Sequence, residues 1–173
     1  MVVIVDAPDV ELLRAGDTAA LARRHYGPVY GLARRLLGRE ADARDAVQET
    51  FARALAHLRE FDPRRSFRNW LFAILANHAR DLLRRRRQLS LDAAAEEALP
   101  DLSLPETPIL RREDRDRILA ALDRLPFDGK IVVTLKIQQG LSGPEIAETL
   151  GISVNAVRIR LYRAISALRK ELT

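Results

Sequence analysis

Residues Ala41–Arg87 read ADARDAVQETFARALAHLREFDPRRSFRNWLFAILANHARDLLRRRR, and two helical patterns lie within them. In the first, Ala43, Val47, Thr50, Phe51, Ala54 and Leu58 recur at three- and four-residue steps, the spacing of a core-facing stripe. At roughly 100° per residue, Asp42, Asp45 and Glu49 fall together on the opposite side. Two readings stay open for these acids. They form a solvated face near a helix N-terminus, where the macrodipole favours negative charge, or they form a docking face for a basic protein surface.

In the second pattern Phe67, Leu71, Ile74, Leu75, His78 and Leu82 make the core stripe. Asn69, Ala73, Asn77, Arg80, Arg84 and Arg87 share a flank about 100° away, with Trp70 at the border. Asparagine donates to and accepts from base edges, and arginine grips phosphate or guanine with a two-pronged fork. Trp70 is either a core residue or an indole that stacks on a base. The run Arg84, Arg85, Arg86, Arg87 exceeds what capping a helix C-terminus requires, which favours a polyanionic partner.

Working outward towards the N-terminus, residues 1–8 read as a loose leader. Asp9 is expected to cap a short helix, VELLRA, that stops at Gly16. Asp17 caps TAALARRHY, Pro28 restarts a helix through VYGLARRLL, and Gly38 ends it. Asp42 opens the acidic-faced helix. Between the two central helices, the loop Glu60–Ser66 holds Pro63, Arg64 and Arg65, and Ser66 caps the arginine-rich helix.

Working towards the C-terminus, Ser90–Ile109 is acidic and free of basic residues, with Pro100, Pro105 and Pro108 against helix. It reads as an extended linker, either a plain tether or an acidic strand that occupies a nucleic-acid channel. The expected units are 1–89, a linker 90–110, and 111–173. In the last, Ile118, Leu119, Leu122 and Leu125 build one helix ended by Pro126, and Asp128–Gln138 builds another. Then Ser142 and Glu145 take capping-box spacing, with Pro144 in the first turn. Ala147 is small where two helices would cross, Gly151 suits a positive-φ turn, and Ser153 caps the next helix. Small residue, glycine and apolar Val157 at these offsets form a helix-turn-helix. Its second helix would enter a major groove with Ser153 at its cap and Asn155, Arg158, Ile159, Tyr162 and Arg163 outward. Val157, Leu161, Ile165 and Leu168 would face inward.

Composition agrees with an all-α fold: 47% of residues are hydrophobic but only 5% are aromatic. The formal charge is +5, weakly favouring a polyanionic partner. Without cysteine there is no disulfide, iron–sulfur cluster or thiolate zinc site, and the three histidines lack metal-ligand spacing. No Gly-rich phosphate loop or nucleophile–base pair marks an enzyme, and no cofactor is expected. No apolar run reaches the ~20 residues that span a bilayer, so no membrane insertion and a cytoplasmic location are expected.

The segments DARDAVQETF, FRNWLFAILANHARDLLRRRR and LSGPEIAETLGISVNAVRIRLYRAISALRKEL, in this order, resemble the extracytoplasmic-function sigma factors of bacterial RNA polymerase. The resemblance spans roughly residues 9–172. It implies a first domain, region 2, that binds the polymerase clamp through Asp42, Asp45, Gln48 and Glu49. It implies a loop, Phe61–Phe67, that takes an extruded base, and a helix whose Asn77 reads the melted minus-ten element. On this reading Arg64, Arg65, Asn69, Trp70, Arg80, Arg84, Arg85 and Arg87 form the surrounding DNA surface. Region 4 would read the minus-thirty-five duplex, and an anti-sigma protein would be a further partner. The chain departs from the common pattern at Arg44, Ala46 and Ile159; an isoleucine there can pack on a thymine methyl. A stand-alone helix-turn-helix regulator is the alternative, and it leaves the acidic face and the Trp70/Asn77 flank without a role.

Overall fold

A computed structural model describes residues 7–91 and 112–172. Eight α-helices make up the described residues: α1 Ala7–Ala15, α2 Thr18–Leu37, α3 Glu40–Ala56, α4 Phe67–Leu91, α5 Arg112–Asp123, α6 Phe127–Ile137, α7 Gly143–Leu150 and α8 Val154–Leu172. A 3-10 turn, Leu58–Glu60, leads from α3 into the loop before α4. Helix α4 runs two residues into the segment read as linker, and the rest of that segment lies outside the described residues.

Two expectations near the N-terminus are corrected. Helix α1 begins at Ala7, so Asp9 sits in its first turn rather than at its cap. The Asp9 carboxylate is buried and bound to His25 and Arg24 of α2, cationic or N–H donors that satisfy it better than a frayed helix end would. Pro28 does not restart a helix; it lies inside a continuous α2. Leu21, His25, Val29, Leu32 and Leu36 stay buried on one face across it. Burying that stripe outweighs the roughly 3 kcal/mol that an interior proline costs.

Helix α3 starts two residues ahead of Asp42, behind an extended Arg39. Ser66 does cap α4, its Oγ accepting from the Asn69 amide at 3.3 Å. In the C-terminal half, Pro126 takes the N-cap position of α6. The helix-turn-helix forms as read. Ser142 and Glu145 complete a capping box, Gly151 adopts φ 63°, and Ser153 Oγ accepts from the Ala156 amide at 3.1 Å. The inner face of α8 differs at one position: Ile165 is exposed and Ala164 is buried in its place. Gly129 of α6 crosses there, and a Cβ on it would lie 3.3 Å from the Ala164 Cβ. This close crossing fixes Val157, Leu161, Ala164 and Leu168 as the inward row.

The two halves pack on each other. Helix α4 touches α7 as well as α2 and α3, and α2 touches α6. One core therefore runs from Leu21, Leu32, Val47, Leu71, Phe72 and Leu75 to Ile131, Val132, Leu135, Leu141 and Ile146. Because α4 has neighbours on several sides, Phe72, Ala76 and Ala79 are buried beyond the single stripe read from its period. Arg35 of α2 is also buried, and its Nη1 has no hydrogen-bond partner. Burial holds its pKa below the usual arginine value, while Asp123 of α5 acts the other way.

Candidate nucleic-acid interface

The outer face of α8 is set by its N-terminal cap and its buried row. Ser153 starts the helix, and Val157 and Ala164 anchor it against α6 and α7. The opposite side is then left to solvent. Asn155, Arg158, Ile159, Tyr162 and Arg163 are all exposed, Tyr162 to 73%. Arg158 and Arg163 make no ion pair among the described residues, so both forks are open to an incoming acceptor. Arg160 turns inward instead and pairs with Asp128 at 3.1 Å.

The second surface starts in the loop before α4. Phe61, Phe67 and Trp70 form an aromatic cluster with ring centroids 4.9–5.6 Å apart. Trp70 is partly buried in it, so packing and an exposed edge coexist in one indole. Asp62 holds Arg64 in a two-pronged bond, with Arg64 Nε and Nη2 each 3.0 Å from a carboxylate oxygen. That bond keeps the Asp62 carboxyl below its ordinary pKa and raises Arg64. Asn69 keeps a buried side-chain carbonyl without a partner.

Farther along α4, Asn77 is exposed and accepts from Arg80 at 3.3 Å. The Arg80 guanidinium lies 5.3 Å from the centre of the Phe127 ring and 3.8 Å from Asp128. Arg65 is bound to Glu148 of α7 at 2.8 Å. Arg84 pairs with Asp81, and Arg86 turns back to Asp42. Arg84, Arg85 and Arg87 remain on the exposed side. Sequence reasoning missed Asp128 and Glu148 as partners of Arg80 and Arg65. They lie 48 and 83 residues away along the chain, beyond any periodicity.

The acidic face of α3 is smaller than its period suggests. Asp42 is only 15% exposed, with Arg86 and Arg39 on it, so it joins α3 to α4. Asp45 and Gln48 are exposed, and Glu49 pairs with Arg53 one turn on. Arg44 does not project a free charge into this face. Arg44 donates to the Tyr30 oxygen and pairs with the Glu40 carboxylate, and both raise its pKa. Tyr26, Tyr30, Arg44, Val47, Gln48 and Phe51 line a groove of about 520 Å³ between α2 and α3.

A helix-turn-helix with an exposed outer face, joined to an aromatic, arginine-flanked helix and an acidic-faced helix, has the architecture of a DNA-binding protein of transcription. Residues 21–88 match the family Sigma-70 region 2, and residues 115–168 match Sigma-70, region 4. The chain is 37% identical over 165 residues to the ECF RNA polymerase sigma factor SigE of Mycolicibacterium smegmatis, covering 89% of this chain and 63% of that one. It is 35% identical over 178 residues to the RNA polymerase sigma factor CnrH of Cupriavidus metallidurans, covering 92% and 93% of the two chains. The structure of CnrH in complex with the cytosolic domain of CnrY aligns over 97% of each chain with a TM-score of 0.70 and 33% identity.

The chain therefore belongs to the sigma-70 family of RNA polymerase sigma factors, in its extracytoplasmic-function group. It is a sigma factor that binds the polymerase core and directs promoter recognition, and it is not an enzyme.

Proposed function

We propose a division of labour between residues 1–89 and 111–173. Helix α8 reads the minus-thirty-five duplex through Asn155, Arg158, Ile159, Tyr162 and Arg163, with Ser153 at the helix start. The loop before α4 and its flank take the melted minus-ten strand through Arg64, Arg65, Asn69, Trp70, Asn77 and Arg80. Arg84, Arg85 and Arg87 supply charge for phosphate. Asp45, Gln48 and Glu49 dock the polymerase clamp, and Asp42 supports them from its pairing with Arg86.

The observation that carries this reading is the outward row of α8, exposed and, among the described residues, without ion pairs at Arg158 and Arg163 on a capped helix-turn-helix. Base discrimination then comes from guanine-directed arginines and a thymine-directed Ile159. Capture of flipped bases at the aromatic loop offsets their unstacking cost of a few kcal/mol. The chain works in the cytoplasm, where polymerase and DNA are. An anti-sigma protein is its inhibitory partner, as the cytosolic domain of CnrY is found on CnrH.

Run-off transcription with bacterial core polymerase on a promoter library tests the reading. New start sites should depend on the protein and vanish on charge reversal at Asp45 and Glu49. An active polymerase that gives no specific transcripts, while the protein alone binds duplex operators tightly, would replace it with a stand-alone regulator.

A further inference from the structure

Helix α1 lies ahead of the residues that match region 2, yet it carries a buried polar group that the proposed reading does not use. Asp9 and His25 are both 4% exposed. The His25 Nε2 lies 3.0 and 2.9 Å from the two Asp9 carboxylate oxygens, and Arg24 Nε adds a contact at 3.0 Å. The other side of the same imidazole faces the aromatic cluster. Its ring centre is 5.4 Å from that of Phe67, which lies 5.3 Å from Phe61 and 5.6 Å from Trp70.

A chain of contacts therefore runs from α1 to the base-reading loop: Asp9, His25, Phe67, then Phe61 and Trp70. A carboxylate that engages an imidazole with both oxygens restricts rotation of that ring. A fixed ring on one side of Phe67 leaves few arrangements for the two aromatics that flank a flipped base. Rigid support of this kind improves binding by reducing the ordering needed when the ligand arrives.

We propose that Asp9 and His25 are positioning residues for minus-ten recognition, and that α1 is the strut that sets the Phe61–Phe67–Trp70 cluster. The proposal rests on the assignment of that cluster to the melted strand. Neither residue touches DNA; both act through Phe67.

The single tryptophan of the chain, Trp70, reports on the cluster directly. In the free protein, Asp9→Ala should raise the acrylamide quenching constant of Trp70 about twofold, with the helical circular dichroism unchanged. In complex with core polymerase, it should weaken binding of a single-stranded minus-ten oligonucleotide roughly tenfold. Affinity for core and for minus-thirty-five duplex should change less than twofold. Asp9→Asn, which retains an acceptor for His25, should restore most of both signals. His25→Gln keeps a donor for Asp9 but removes the ring from Phe67. It should match Asp9→Ala, and it decides the matter if Asp9→Ala does not fold.

Unchanged quenching and unchanged oligonucleotide affinity in both variants would overturn the proposal. So would an equal loss of core, duplex and single-strand binding, which marks a general structural role. If the wild-type holoenzyme fails to bind the oligonucleotide, the assignment of the cluster fails. The quenching measurement on free protein then still tests the strut.

Discussion

The two helices proposed to meet DNA, α4 and α8, differ in how much of their charge is already committed. On α8, Arg158 and Arg163 stand exposed without ion pairs among the described residues. On α4 and its loop, Arg64, Arg65, Arg80, Arg84 and Arg86 all have carboxylate partners. Two of those partners, Glu148 and Asp128, belong to the other half of the molecule. The face proposed to read duplex is thus ready as it stands. On the face proposed to take the single strand, Arg64, Arg65, Arg80 and Arg84 must exchange partners first, so its net affinity is a difference between two sets of contacts.

The most severe way to break the contrast is to attack what the halves share. Phe72 is fully buried in the common core, and Phe72→Ala should destabilise the chain by about 3–5 kcal/mol. Trp70 fluorescence and helical circular dichroism should then be lost together in a single urea transition. Two separated transitions would mean that the halves fold independently.

A smaller effect isolates α8. Arg158→Ala should remove about 1–3 kcal/mol of duplex binding, roughly 5- to 150-fold, in competition assays with holoenzyme. Binding to a single-stranded minus-ten oligonucleotide should stay unchanged. Smaller again is the contribution of the pairs between the halves. Exposed ion pairs contribute about 0–1 kcal/mol each. Asp128→Lys with Glu148→Lys should therefore raise the free protein's affinity for single-stranded DNA by several-fold at low salt. Fluorescence anisotropy should register the gain, and added salt should erase it.

The least effect is a pH term in the N-terminal half. Partial burial, and then Arg53, hold the His78 pKa below its ordinary value. The unfolded chain thus takes up a proton at higher pH than the folded one. Stability is complete above the ordinary histidine pKa of about 6.5 and declines as pH falls below it. Thermal melts between pH 7 and pH 5 should flatten in His78→Gln relative to the wild type.

The legible parts of the molecule were those set by local chemistry. The Ser142–Glu145 box, the turn at Gly151 and the Ser153 cap each depend on a few adjacent residues, and all three formed. The core stripes of α3 and α4 followed from period alone. What the sequence hid depends on partners far along the chain. Pro28 stays helical because its neighbours on α2 remain buried on both sides of it. Asp42 looked like its neighbour Asp45, and only the return of Arg86 separates a joint between helices from an exposed acid. Ile165 and Ala164 exchanged roles because Gly129 crosses α8 at that point. The contact of His25 with Phe67 joins two helices whose sequences give no sign of each other.

Arg35 gives the junction between the halves a hydration debt. Its guanidinium is buried with Nη1 unsatisfied, and the charge that favours it, Asp123, sits on the other half. Helix α2 packs on α6 of the other half, so water that enters between them reaches the helix that carries this buried cation. The junction should therefore breathe. Amides near it should exchange with solvent through a partial opening, at a lower free energy than global unfolding.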